Sequence, residues 1–326
     1  MSSGRSSGGY AVLFPGQGSQ SVGMGTALAE AFAEAAEVLE RADRVMPGLW
    51  KLIREGPEEV LRQTAYTQPA LLAVSVATWE VWRRRVATAL PAAGAGHSLG
   101  EYSALVAAGA LSFEDGLALV RARGQAMAEA VPAGEGGMAA VLGLDDGQVT
   151  AICEEVVQAL GDETAVVAAN FNAPGQVVVS GRKSALAEVR QRVQAAGGRW
   201  AELAVSGPFH SPLMAEAARR LREHLERVDW HLPAWPVVAN VDARPYPARV
   251  EAIRQALEAQ LVSPVRWVES LRAMAAMGIT HFVELGPGRV LSGLVRRTLP
   301  DAVVLNVQDP ASLEASLARL KGDGLI

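Results

Sequence analysis

Cysteine is nearly absent from the 326-residue chain, Cys153 being the single one. No intrachain disulfide can therefore staple the fold, and no Cys/His cluster has the spacing of a metal site. A reducing compartment is the expectation. Lysine is scarce as well: Lys51, Lys183 and Lys321 are the only three among 30 basic residues, the rest being arginine, whose planar fork suits carboxylate and phosphate contacts. An excess of positive charge is missing too, because 35 acidic residues leave a formal net charge of −5. That balance excludes the sequence-indifferent binding of a phosphate backbone, so nucleic acid is not an expected partner. Finally, no apolar run is long. Ala70 to Trp79 falls short of the ~20 residues of a membrane span, and the Ser/Gly-rich residues 1–9 lack the ~7–15-residue apolar stretch of a signal peptide. The expectation is a cytoplasmic protein with no membrane attachment and a disordered tail over residues 1–9.

What is present is a large apolar fraction, 50% of the residues. At this length about 75% of the unfolded surface can be buried, which allows a sizeable core and a second subdomain. Tyr10-Ala-Val-Leu-Phe14 reads as a buried strand stopped by Pro15 and Gly16, and Thr26 to Met46 has helical spacing. Helices are predicted over 70–89, from Gly100 to Ala108, and after Ser112-Phe-Glu-Asp115, a capping-box-like start. Ile279 to Leu285 reads as a strand running into Gly286-Pro287-Gly288 and a helix over Val290 to Thr298. The two ends of the chain thus belong to one α/β body. The middle has another rhythm: strands over 138–144, 165–169, 176–180 and 199–204, and helices over 145–160 and 184–196. That βαββαβ order is ferredoxin-like. The predicted organisation is a large domain of residues 10–133 and 205–326, with a ferredoxin-like subdomain of residues 134–204 inserted in it.

Chemistry concentrates in a few places. Gly96-His97-Ser98-Leu99-Gly100 matches the G-x-S-x-G elbow, where flanking glycines permit a sharp strand-to-helix turn that holds a serine hydroxyl clear of the backbone. The amide of Leu99, at the helix start, can stabilise an oxyanion. A serine needs a base, and the chain offers five histidines. His97 adjoins Ser98 and should turn away from it. His224 lies in a charged helical stretch, His281 inside a strand, and His231 after Trp230 with nothing to distinguish it. His210 sits in the irregular segment Ser206 to Pro212, where the inserted subdomain returns to the large one and a cleft is expected. The loop Phe14-Pro-Gly-Gln-Gly-Ser-Gln20 is a poor dinucleotide fingerprint, since the third glycine position is Ser21 and no P-loop lysine follows. It can still bring a backbone amide, that of Gln17, near a substrate oxygen.

Seven ordered blocks carry a resemblance: FPGQGSQ (14–20), GHSLGEYSAL (96–105), RARGQAM (121–127), NFNAPGQVVVSG (170–181), GPFHSPLM (207–214), QLVSPVRW (260–267) and ELGPGRVLSGL (284–294). Over residues 10–300 the chain resembles the malonyl-CoA:acyl carrier protein transacylases, a family that includes polyketide-synthase acyltransferases. The resemblance implies an α/β-hydrolase-like large domain with a ferredoxin-like insert and the active site between them. It implies Ser98 as nucleophile, His210 as base, the backbone carbonyl of Gln260 orienting that histidine, and the amides of Gln17 and Leu99 as the oxyanion hole. Arg123 matches the arginine that grips the free malonyl carboxylate, Arg121 being two positions off on another helix face, and Phe209 a residue that crowds the α-carbon. Many malonyl-selective polyketide domains carry a histidine two positions before the catalytic one, where this chain has Pro208. Malonyl-CoA as substrate, an acyl carrier protein as acceptor, and no metal or permanently bound cofactor are the corresponding expectations. A serine hydrolase releasing the acyl group to water, a polyketide acyltransferase acting in trans on another extender unit, and a non-catalytic carrier-binding module are the competing ones.

Overall fold

The structure, a computed structural model, describes residues 9–86 and 88–326, and these hold nine strands. The tail expected over residues 1–9 lies, but for Gly9, outside the described residues. Strands β1 (Tyr10–Phe14), β2 (Ala93–Gly96), β7 (Val237–Val238), β8 (His281–Leu285) and β9 (Val303–Val307) form a parallel sheet in the order β7-β2-β1-β8-β9. Parallel strands need long crossovers, and helices fill them on both faces, so β1 is buried along its whole length. Its alternate residues serve different cores: Tyr10, Val12 and Phe14 pack into one, Ala11 and Leu13 into the other with Phe282, Trp267 and Leu271.

β3 (Gly136–Leu142), β4 (Val166–Ala173), β5 (Gln176–Arg182) and β6 (Arg199–Glu202) form a second, antiparallel sheet in the order β4-β5-β3-β6. The helices Asp146–Leu160 and Lys183–Ala195 cover one face around Val141, Val149, Val179 and Val189. Asp145 starts the first with a full capping box to Gln148. This βαββαβ unit is stitched to the large sheet's side of the molecule through the backbone: Phe171 donates to Val265 O at 3.0 Å and Val265 to Ala169 O at 2.8 Å.

Two helices differ from the sequence reading. The stretch from Thr26 to Met46 is two helices, Thr26–Ala31 and Ala33–Val45, because Phe32 adopts an extended conformation and its ring lies 4.2 Å under the Arg85 guanidinium. The helix expected from Ala70 begins at Thr64 and runs to Val86, carrying Pro69 inside it. Proline removes a single backbone donor there, and seventeen buried side chains outweigh that loss.

The turn from β2 into the helix Gly100–Ala107 is possible only because two glycines face each other across it. A Cβ on Gly96 would lie 1.8 Å from the Gly100 carbonyl group, and one on Gly100 would lie 2.0 Å from Phe14 O. Gly96→Ala is therefore expected to lower the urea midpoint by the equivalent of about 1–3 kcal/mol. Gly293→Ala, in the helix Val290–Thr298 where an added Cβ meets nothing within 4 Å, should raise it by about 0.5–1 kcal/mol. Equal shifts in the two variants would contradict this packing account.

Candidate active site

Ser98 stands at the end of β2 with φ 51°, in the left-handed region that a side chain seldom adopts. The turn pushes its hydroxyl into a cavity of about 140 Å³ lined by Gln17, Gln68, Leu99, Arg123, Phe209 and His210, among others. Asn240 brackets the turn from below: its Oδ1 accepts from the Ser98 amide at 2.7 Å and its Nδ2 donates to Gly96 O at 2.8 Å. Buried at the end of β7, 142 residues from Ser98, it shows in the sequence only as one more asparagine.

His210, also at positive φ (57°), approaches from the far side of the cavity. Its Nε2 lies 2.7 Å from Ser98 Oγ and its Nδ1 2.8 Å from Gln260 O. A carbonyl oxygen can only accept, so Nδ1 carries the proton and Nε2 presents a lone pair to the serine hydroxyl. Burial, and then the positive charge of Arg123, hold the His210 pKa far below the usual imidazole value, at about 3. The ring is therefore neutral and free to take a proton across the neutral range.

Arg123, in the helix Phe113–Glu129, is 1% exposed. Its Nη1 donates to Gln68 Oε1 at 2.8 Å, and its Nη2 to Gln260 Oε1 at 2.8 Å and to Ser98 Oγ at 3.1 Å. Among the described residues it forms no ion pair with a carboxylate, and its Nε has no partner at all. Arg121, two positions away, faces solvent. Leu99 and Gln17 line the same cavity, and their amides donate to no acceptor among the described residues. Phe209 closes the wall with Met127, Met138 and Val178, and Pro208 packs against Gly136, where a Cβ would sit 2.5 Å from its ring.

Of the other histidines only His97 lines the cavity. His97 bonds through Nε2 to Asn172 Oδ1 at 2.7 Å and packs edge-on against Trp267, tying the elbow to β4. His281 is buried against Thr280 and Asp323, and His224 and His231 are exposed. No group of three or more His, Cys, Asp or Glu side chains suited to a metal stands among the described residues. Sequence reasoning missed Asn240, Gln68 and the side chain of Gln260. It also missed the buried Glu101, whose carboxyl burial pushes up to about 7 against hydrogen bonds from Tyr246, Gln260 and the Asn240 amide. The acidic residue that follows the elbow was the one available signal.

A serine hydroxyl hydrogen-bonded to a neutral imidazole, beside a buried cation that has no carboxylate partner among the described residues and between a parallel sheet and an antiparallel one, is an arrangement able to support acyl transfer. The family model described as an acyl transferase domain matches residues 12–324. The malonyl CoA-acyl carrier protein transacylase of Salmonella typhimurium is 44% identical over 312 residues, 95% of this chain and 99% of its own. Among solved structures, an acyl carrier protein S-malonyltransferase from Vibrio cholerae superposes with a TM-score of 0.90 at 44% identity, over 94% of this chain and 99% of that one. A malonyl-transacylase in complex with its type II polyketide-synthase acyl carrier protein does so with a TM-score of 0.91 at 44% identity, over 95% and 99%. The chain belongs to the malonyl-CoA:acyl carrier protein transacylase family.

The depressed His210 pKa sets a pH expectation. A base whose pKa lies below its ordinary 6.5 stays competent as pH falls through that value. The rate at which a fluorophosphonate modifies Ser98 should hold its plateau down through pH 6.5 and decline only at lower pH. An acid limb centred at or above 6.5 would remove His210 as the base, or show it in solvent.

Proposed function

We propose that the chain transfers a malonyl group from coenzyme A to the phosphopantetheine thiol of an acyl carrier protein, through an ester on Ser98. The observation that carries this reading is the buried Arg123 guanidinium, 3.1 Å from Ser98 Oγ and without a carboxylate partner among the described residues. A buried cation calls for an anion. A malonyl thioester has a free carboxylate two bonds from its reacting carbonyl, and two charge-assisted hydrogen bonds from Arg123 would hold it there.

In this mechanism His210 Nε2 takes the hydroxyl proton as Ser98 Oγ attacks the thioester carbonyl. The oxyanion rests on the Gln17 and Leu99 amides. Collapse breaks the carbon–sulfur bond, and the imidazolium returns its proton to the departing coenzyme A thiol. The carrier's thiol then enters, gives its proton to His210, attacks the ester, and Ser98 leaves with that proton. The substrate carboxylate also acts on the base: by pairing with Arg123 it cancels the charge that adds to burial in depressing His210, so imidazolium formation becomes easier once malonyl is bound. No step draws on a metal or a resident cofactor. Phe209 narrows the pocket where a branched extender unit would put its methyl, a discrimination of about 1–3 kcal/mol.

In this reading residues 10–133 and 205–326 form the acyl-bearing body and residues 134–204 the subdomain that closes the cleft. The work belongs to fatty-acid or polyketide biosynthesis in the cytoplasm; among the described residues no helix is long and apolar enough to cross a membrane.

Intact-protein mass spectrometry after exposure to malonyl-CoA should show one added malonyl group, discharged on addition of carrier protein. Ser98→Ala should show none; an adduct persisting in that variant would move the nucleophile elsewhere. Release of free malonate in place of malonylated carrier would favour a hydrolase. Arg123→Ala should cost malonyl loading about 10–100-fold and shift preference toward acetyl-CoA. An unchanged preference would end the clamp assignment.

A further inference from the structure

Three parts of the chain converge beneath the elbow on a carboxyl group that the transfer steps leave idle. Glu101, in the first turn of the helix Gly100–Ala107, is 1% exposed. One of its oxygens accepts from Gln260 Nε2 at 2.6 Å and from the Asn240 amide at 3.2 Å, and the other accepts from the Tyr246 hydroxyl. Gln260 is shared. Its Nε2 also donates to Ser98 O at 3.0 Å, and its Oε1 accepts from Arg123 Nη2 at 2.8 Å.

A glutamine amide has two ends of nearly equal shape and opposite polarity, so something must decide which way round it sits. Here the Asn240 amide and Gln260 meet the same Glu101 oxygen, and a backbone N–H makes that oxygen an acceptor whether the carboxyl is ionised or protonated on its other oxygen. Together with the Ser98 carbonyl, which can only accept, Glu101 therefore turns the Gln260 NH2 toward itself and the Gln260 carbonyl toward Arg123. Reversed, the amide would set its NH2 against the guanidinium and its oxygen against a carboxyl oxygen, leaving buried donors and acceptors unmatched. The interposed amide has a second effect: Glu101 approaches the cation without pairing with it, and the guanidinium keeps its charge for a ligand.

We propose that Glu101 is a positioning residue for the carboxylate-binding arginine, orienting the Gln260 amide so that it holds Arg123 in place while leaving that cation unpaired for the substrate. This rests on Arg123 being the malonyl clamp. Glu101 touches neither substrate nor reacting atoms, so its effect runs through Gln260 and should appear as a change in thioester preference.

The experiment measures kcat/KM for loading with malonyl-CoA and with acetyl-CoA in Glu101→Leu, Glu101→Gln, Gln260→Ala, the Glu101→Leu/Gln260→Ala double variant and Arg123→Ala. Glu101→Leu should lower the malonyl-to-acetyl ratio about 10-fold. Glu101→Gln should restore it to within about threefold, because its carbonyl can replace the accepting oxygen while its NH2 meets the Tyr246 oxygen. In the Gln260→Ala background, Glu101→Leu should change the ratio by less than about twofold, since both act through one amide. If Glu101→Leu does not fold, Glu101→Asp, which withdraws the carboxyl by one methylene, should show the same fall. Equal losses on both thioesters, or effects of Glu101→Leu and Gln260→Ala that multiply in full, would overturn the proposal. A collapsed ratio in Arg123→Ala with an intact one in Glu101→Leu would reject the role of Glu101 alone; an intact ratio in Arg123→Ala would reject the clamp beneath it.

Discussion

A positive charge enclosed next to the Ser98 hydroxyl, with no carboxylate partner among the described residues, is the constraint around which the site is arranged. Removing a guanidinium from water costs several kcal/mol unless other groups meet it. Amide oxygens of Gln68 and Gln260 meet it in part, as does the Ser98 hydroxyl, while Nε has no partner among the described residues. The incompleteness has consequences in two directions. Outward, it makes the cavity a place where a carboxylate gains more than a methyl group of similar size. Inward, the same charge adds to burial in holding His210 neutral, so that the resting protein keeps an unprotonated base against its serine hydroxyl.

Backbone strain is the second element, and it falls on both partners of the serine–histidine hydrogen bond. Ser98 and His210 each have positive φ, a conformation that costs a non-glycine residue of order 1–3 kcal/mol. The surroundings over-determine both. Ser98 is gripped by Asn240 through its amide and through Gly96 O, and Gly96 and Gly100 pack too closely for any side chain between them. His210 follows Pro208, whose ring lies on Gly136 and whose carbonyl accepts from Ser211 Oγ at 2.6 Å. With both residues held, a hydrogen bond between groups 112 residues apart reaches 2.7 Å.

The antiparallel sheet supplies more than a roof. Met138 and Val178 from its strands narrow the cavity. The backbone pairing of β4 with Val265 and the Asn172 to His97 hydrogen bond anchor it five residues beyond Gln260 and one residue before Ser98. The distance between its strands and Ser98 is thus set beside the two segments that hold Ser98 and His210.

Local pattern made much of this legible. The buried run Tyr10–Phe14, the helix cap at Ser112, the glycines around Ser98 and the strand-then-helix from His281 to Thr298 are each written in adjacent residues, because their causes are local: side-chain alternation, caps, and room for a sharp turn. The break at Phe32 was not legible, since it depends on an arginine from a distant helix. By itself the sequence determined which residue types are available and the order in which they come: a serine in an elbow, a histidine in a subdomain junction, an arginine on a helix. Only the tertiary structure decided that Gln68, Asn240, Glu101 and the side chain of Gln260 close around them. Their partners at Ser98, Arg123 and Glu101 lie 55 to 162 residues away, and a hydrogen bond across such a separation leaves no period or spacing in the chain, only complementary groups that meet once the sheets and helices have brought them within about 3 Å.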